Sequence, residues 1–104
     1  MKATELLDFL REFHRDKQAM LRRHVAAARH VSDYAFNNTY QYVIAREEMQ
    51  VSWVRDAIVD AGADPADDVA EPVIQLSGKG LAAETALIAQ DRDGAQAFVD
   101  KWRP

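Results

Sequence analysis

From Ala3 to Val31 apolar residues recur at helical spacing, with Ala3, Leu10 and Val31 at one heptad position and Leu6, Phe13, Met20 and Ala27 at its partner. Leu7, Leu21 and Ala28 widen the stripe. A stripe of that width predicts a helix with one face against a core. Thr4, followed by Glu5 and Asp8, suits its start, since a hydroxyl can cap orphan N–H groups and carboxylates favour the positive end of the dipole. Nothing interrupts the pattern until Ser32-Asp33, either of which can cap a second helix. That helix carries Tyr40, Val54 and Ala61, then Phe36, Val43 and Ala57, then Ile44, Val51 and Ile58 on its apolar face. It runs to Gly62, whose missing Cβ suits a left-handed C-terminal residue.

Residues 62–80 carry two Pro, three Gly and four acids, and read as a crossing segment. From Leu81 a third helix is predicted, bearing Leu87 and Ile88, with Asp91 to Asp93 able to cap a continuation through Phe98, Val99 and Trp102. The expected fold is all-α: a long antiparallel helical hairpin at about 4–31 and 33–61, and a shorter third helix at about 81–102.

The polar residues that break the stripes carry more information than the apolar ones that make them. Lys17 and His24 fall on the seam of the first helix, with His14 at its edge, and Glu47 and Gln50 fall on the seam of the second. Helices joined by so short a turn lie antiparallel, so residues whose numbers add to about 64–67 sit level. Lys17 then faces Glu47 to Gln50, with His14 about one turn to one side and His24 about two turns to the other. Burying such groups unpaired costs roughly 2–7 kcal/mol each. Three arrangements account for them: a Lys17–Glu47 ion pair fixing helix register with Gln50 meeting the remaining donors, a metal or acid–base site, or a frame shifted by one that puts Glu48 on the seam.

Composition narrows the class. A chain of 104 residues fits one domain, 1–104, and the absence of Cys removes disulfides, thiolate ligands and Cys nucleophiles. No apolar run approaches the roughly 20 residues that cross a bilayer, and the N-terminus has no signal-peptide centre, so a cytoplasmic protein without a membrane partner is expected. Residues 1–31 hold seven Lys/Arg against four Asp/Glu, while residues 32–104 hold six against thirteen. A basic first helix facing an acidic remainder gives little reason to expect nucleic acid, and Arg22-Arg23 reads as a solvated face. Gly78-Lys79-Gly80 is followed by Leu rather than Ser/Thr and a helix start of the Walker type, which excludes a nucleotide loop.

The stretch Tyr40-Gln41-Tyr42-Val43-Ile44-Ala45-Arg46-Glu47-Glu48-Met49-Gln50-Val51-Ser52-Trp53-Val54, followed by Gly62 and Pro65, resembles the second helix of ferritin-like, rubrerythrin-type bundles. The resemblance covers roughly residues 4–65. It implies a four-helix bundle with a carboxylate-bridged iron or manganese pair, in which two helices give Glu and two give Glu-x-x-His. Glu47 matches the motif's Glu and is the one metal-ligand candidate, but Gln50 stands where His belongs, and Lys17 stands where the facing helix offers a carboxylate. Glu12 falls on the solvent face, and Glu84 in the third helix is followed at i+3 by Leu87.

The expectation is therefore a ferritin-like homo-oligomer without a working metal site or cofactor, acting through association or scaffolding rather than catalysis. The alternatives are an iron- or manganese-dependent oxidase or iron-handling protein completed by a second chain or a further helix, and a helical adaptor binding a partner helix. The helical pattern still running at Trp102 fits three-quarters of such a bundle. His24 is expected to bond a neighbour such as Tyr42, and His30 to sit at a helix C-terminus. Tyr34, Tyr40 and Tyr42 are expected in the core and its rim, and Trp53 over a third helix or in a subunit contact.

Overall fold

The computed structural model describes residues 3–65, 69–74, 76, 78 and 80–103. Three helices account for the regular structure, α1 (Ala3–Ala28), α2 (Tyr34–Asp60) and α3 (Leu81–Trp102), with no strand among the described residues. The molecule is long and narrow, 50 × 21 × 21 Å. No described helix is long and apolar enough to cross a membrane.

Helix ends follow local chemistry. α1 is already helical at Ala3, which places Thr4 inside the first turn rather than at a cap. It stops at Ala28, three residues before the end of its apolar stripe, because Asn37 Nδ2 donates to the Ala28 and Val31 carbonyls, at 3.2 and 3.0 Å. The chain tightens there, with His30 and Val31 N–H donating to the Ala27 and Ala28 carbonyls. Asp33, not Ser32, caps α2: its Oδ1 accepts the Phe36 N–H at 3.0 Å. At the far end Gly62 adopts φ 83°, and the Gly62 and Ala63 N–H groups reach back to the Val59 and Ile58 carbonyls. That is the paired bonding of a Schellman stop, and the positive φ is why glycine ends the helix. α3 runs unbroken through Asp91-Arg92-Asp93, where a second start was expected, because Asp91 turns inward to a partner instead of capping.

α1 packs against both other helices, antiparallel to each, while α2 and α3 bring no backbone together. The hairpin core joins Leu21, Ala28 and Ile44, with Val25, Tyr40 and Val51 against them. Ile58 and Ala27 are wholly enclosed, and each fully buried aliphatic side chain of isoleucine size contributes roughly 1.5–3 kcal/mol. The α1–α3 seam ends in an aromatic group: Phe13 meets Trp102 and Phe98 with ring centroids 5.1 and 5.6 Å apart, and Phe9 meets Trp102 at 5.2 Å. Gly94 of α3 faces the Arg23 guanidinium of α1, whose Nη2 would lie 2.7 Å from a Cβ at that position.

The charge asymmetry of the chain is spent on joining these parts. Arg29 pairs with Glu71 at 2.7 Å, and Arg11 donates to the Asp64 carbonyl at 2.9 Å. Lys101 runs the other way, from α3 to Asp16 and Glu12 of α1 at 2.5 and 3.0 Å, so Glu12 is on the solvent face as expected. Lys79 of the glycine-flanked segment lies outside the described residues, as do residues 66–68.

Candidate functional site

Lys17 meets Glu47 across the α1–α2 seam, Nζ to Oε2 at 2.6 Å, with both side chains buried. The heptad count and the short turn place them level, and neither Glu48 nor a shifted frame is involved. Lys17 is enclosed further by rings, its Nζ lying 5.5 Å from the Phe98 centroid and 6.0 Å from that of Phe13. The other carboxylate oxygen of Glu47 faces Arg46 Nη2 at 3.7 Å. Gln50 is half-buried one turn on, but no hydrogen bond joins it to the pair. His14 is buried one turn before Lys17. Burial, with the Arg55 charge second, pushes its pKa down, which keeps the imidazole neutral within the fold.

His24 finds a partner from α3. Its Nδ1 lies 2.6 Å from Asp91 Oδ2, both groups buried, and the Tyr40 hydroxyl of α2 lies near enough to the same carboxylate to feel its charge. Arg23 Nε approaches the other oxygen at 3.6 Å. Burial alone would raise the pKa of Asp91, but the His24 hydrogen bond and charge, the Tyr40 hydroxyl and the Arg23 charge outweigh it and hold the carboxyl below its usual range. The same contact works the other way on Tyr40, whose phenol is pushed well above its ordinary value by burial first and by Asp91 second.

These positions correct several expectations. His24 bonds Asp91 and not Tyr42, which is exposed on the far side of α2. Tyr34 is 86% exposed and belongs to no core. Arg23 is half-buried and reaches into the site instead of standing in solvent. Glu84 is buried and engaged, accepting the Ser32 N–H with one oxygen and the Ser32 hydroxyl at 3.1 Å with the other, so α3 clamps the turn between α1 and α2. Trp53 is 61% exposed and covers no third helix.

Between α2 and α3, with α1 as its floor, lies an open groove of about 540 Å³. Lys17 and Glu47, then His24 and Asp91, form two paired polar points on that floor. Phe36 and Val43 of α2 and Ala95, Phe98 and Val99 of α3 make apolar walls, and Arg46 and Arg92 stand on the rims. Asp91 and Phe98 are the residues that sequence reasoning missed. Asp91 read as a cap, and its spacing from Phe98 places both on the inner face of one continuous helix, which is the signal that was present.

A carboxylate-bridged metal pair does not fit this donor set. Glu47 is held by a cation at 2.6 Å, Gln50 offers a neutral amide in place of imidazole, and no three His, Asp or Glu side chains converge among the described residues. No protein-family model, curated protein or solved structure matches the chain.

Proposed function

We propose that this chain is a helix-docking module: three corners of a four-helix bundle of ferritin-like build, with an ion pair in place of the metal ligands, whose vacant fourth corner takes a partner helix. The observation that carries the reading is the placement of α2 and α3, which both pack on α1 but not on each other. Helices at three corners of a square have that relation, and the groove between the two diagonal members is the space a fourth helix fills. Its walls are apolar, and its rims carry Arg46 and Arg92, the second without a carboxylate partner among the described residues. The occupant that matches is an amphipathic helix with apolar residues at i, i+3, i+4 and i+7 and acidic residues beside them.

The buried polar points then have a packing role. Lys17–Glu47 and His24–Asp91 satisfy each other before any partner arrives, so the floor presents no unpaired charge to a docking helix. The module acts by association, and no catalytic step is assigned to it.

A designed peptide with Leu at those helical positions flanked by Glu tests the reading. It should bind the protein saturably, read by fluorescence anisotropy, and Ala95→Trp, which fills the groove, should abolish binding while the circular dichroism spectrum stays helical. Absence of binding, or binding indifferent to Ala95→Trp in a folded variant, overturns it.

A further inference from the structure

We infer that the chain pairs with a second copy of itself through the outer face of α2, the two α2 helices lying antiparallel about a two-fold axis at the height of Val51. The inference stands apart from the docking reading, because the apolar residues of this face point away from α1 and line no part of the groove. α2 turns Ile44, Glu47, Val51 and Ile58 toward α1, where they are buried or half-buried. On the opposite side Tyr42, Met49 and Trp53 are 70, 50 and 61% exposed. Arg46, Asp56 and Asp60, also exposed, complete a second seam that runs from Tyr42 to Asp60 in alternate steps of four and three residues. That is the spacing at which two helices interlock as a coiled coil, and at about 100° per residue it keeps all six side chains on one narrow strip.

The occupant is identified by the order of residues along the seam, which is complementary to its own reverse. Met49 and Trp53 lie at the middle, Arg46 one step before them, Asp56 one step after, and Tyr42 and Asp60 at the two ends. In an antiparallel pair with its axis at the height of Val51, Met49 comes level with Trp53 of the second copy. Arg46 comes level with Asp56, and Tyr42 with Asp60. Thioether then faces indole, cation faces anion, and a phenol donor faces a carboxylate acceptor, each a favourable match. The two-fold axis repeats every contact, so the interface is closed and isologous.

The charges exclude the other pairings of this face. Parallel α2 helices would set Arg46 on Arg46, Asp56 on Asp56 and Asp60 on Asp60. Sliding the antiparallel pair by one heptad sets Met49 against Arg46 in one direction and against Asp60 in the other, and leaves the remaining charges unmatched. Charge complementarity therefore fixes orientation and register together. The charges are also available for it: Asp56 and Asp60 have no ion-pair partner among the described residues, and Arg46 stands 3.7 Å from a Glu47 that already holds Lys17.

Sedimentation of the full chain should give a dimer, and Trp53→Ala, at a solvent-facing position, should shift it to monomer while the circular dichroism spectrum stays helical. Asp56→Arg, which sets two cations against each other, should weaken the dimer roughly tenfold or more, and adding Arg46→Asp should recover it. The chain has no Cys, so each introduced thiol is unique. Met49→Cys and Trp53→Cys copies should form a disulfide when mixed and not singly, since the mixed pair alone is level. A monomer up to the solubility limit overturns the inference, as does a dimer indifferent to Trp53→Ala. A Met49→Cys copy that cross-links to itself overturns this register and the charge argument with it. Loss of the dimer in Ala95→Trp would move the contact to the groove and overturn the outer face as its site. A stable dimer that fails to bind the designed peptide removes the docking reading and leaves this one standing.

Discussion

Lys17 and His24 occupy the same heptad position on α1, seven residues apart, yet they are answered from different helices. Lys17 pairs with Glu47 of α2 at 2.6 Å, and His24 with Asp91 of α3 at 2.6 Å. The first pair is closed on itself, boxed by Phe13 and Phe98, with Arg46 approaching from outside. The second is shared: Tyr40 and Arg23 converge on the same carboxylate, so three helices meet at Asp91. A single buried pair fixes the register of two helices, whereas a shared carboxylate fixes the height of a third. That division explains why α2 and α3 hold position across an open groove although their backbones stay apart.

The largest effect should come from the closed pair. Lys17→Met or Glu47→Gln alone leaves one buried charge uncompensated, and each should destabilise by about 3–5 kcal/mol. The double variant should recover much of that loss, because neither charge then remains. Urea denaturation of the three variants reads the cycle. Small and additive losses would mean that Lys17 and Glu47 are effectively solvated, and the contrast between a closed and a shared site would collapse.

The reason one pair was legible in the sequence and the other was not is topological. The turn from Ala28 to Tyr34 is so short that hairpin geometry fixes which residues are level, and polar interruptions of two apolar stripes then point at each other. α3 arrives after the crossing segment, and the length of such a segment sets no register. By sequence alone Asp91 therefore reads as a cap, as acids near helix starts do, and nothing in the spacing of α1 and α2 points His24 to a partner on α3. The Ser32–Glu84 clamp was hidden for the same reason: a serine beside Asp33 reads as a cap until the third helix supplies its carboxylate. The three helices followed from periodicity, while the groove depended on where α3 lands.

A smaller loss is expected at the shared site. Asp91→Asn keeps the shape but weakens the bonds to His24, Tyr40 and Arg23, and should cost roughly 2–3 kcal/mol at neutral pH. Acid should separate its contribution from that of His14. The folded pKa of Asp91 is lowered, so the stability it adds is complete above its ordinary value of 3.8 and is lost as pH falls through the lower folded value. His14 is also lowered, so its contribution is complete above 6.5 and is lost on further acidification, as the unfolded imidazole takes up a proton that the folded one refuses. Melting temperatures across this range should fall in two stages for the wild type, with the lower stage reduced in Asp91→Asn to the part that Glu71, lowered by Arg29, still carries. A lower stage of undiminished size in the variant would show that Asp91 does not contribute to it.

The smallest expected effect is none at all, and it bears on what the closed pair replaces. A ligand that binds the folded state raises the melting temperature by mass action, so a working metal centre would respond to Fe(II), Mn(II) or Zn(II). With Lys17 Nζ 2.6 Å from Glu47 Oε2, a divalent ion would have to displace a cation already bonded to the carboxylate. The wild type should show no shift in melting temperature with any of the three. Lys17→Glu combined with Gln50→His removes the competing cation and supplies a carboxylate and an imidazole beside Glu47, the donor types such ions prefer. Zn(II) should then raise the melting temperature of the double variant alone. A shift in the wild type would break the contrast, because Glu47 would then be a ligand held in reserve and the lysine a displaceable lid over it.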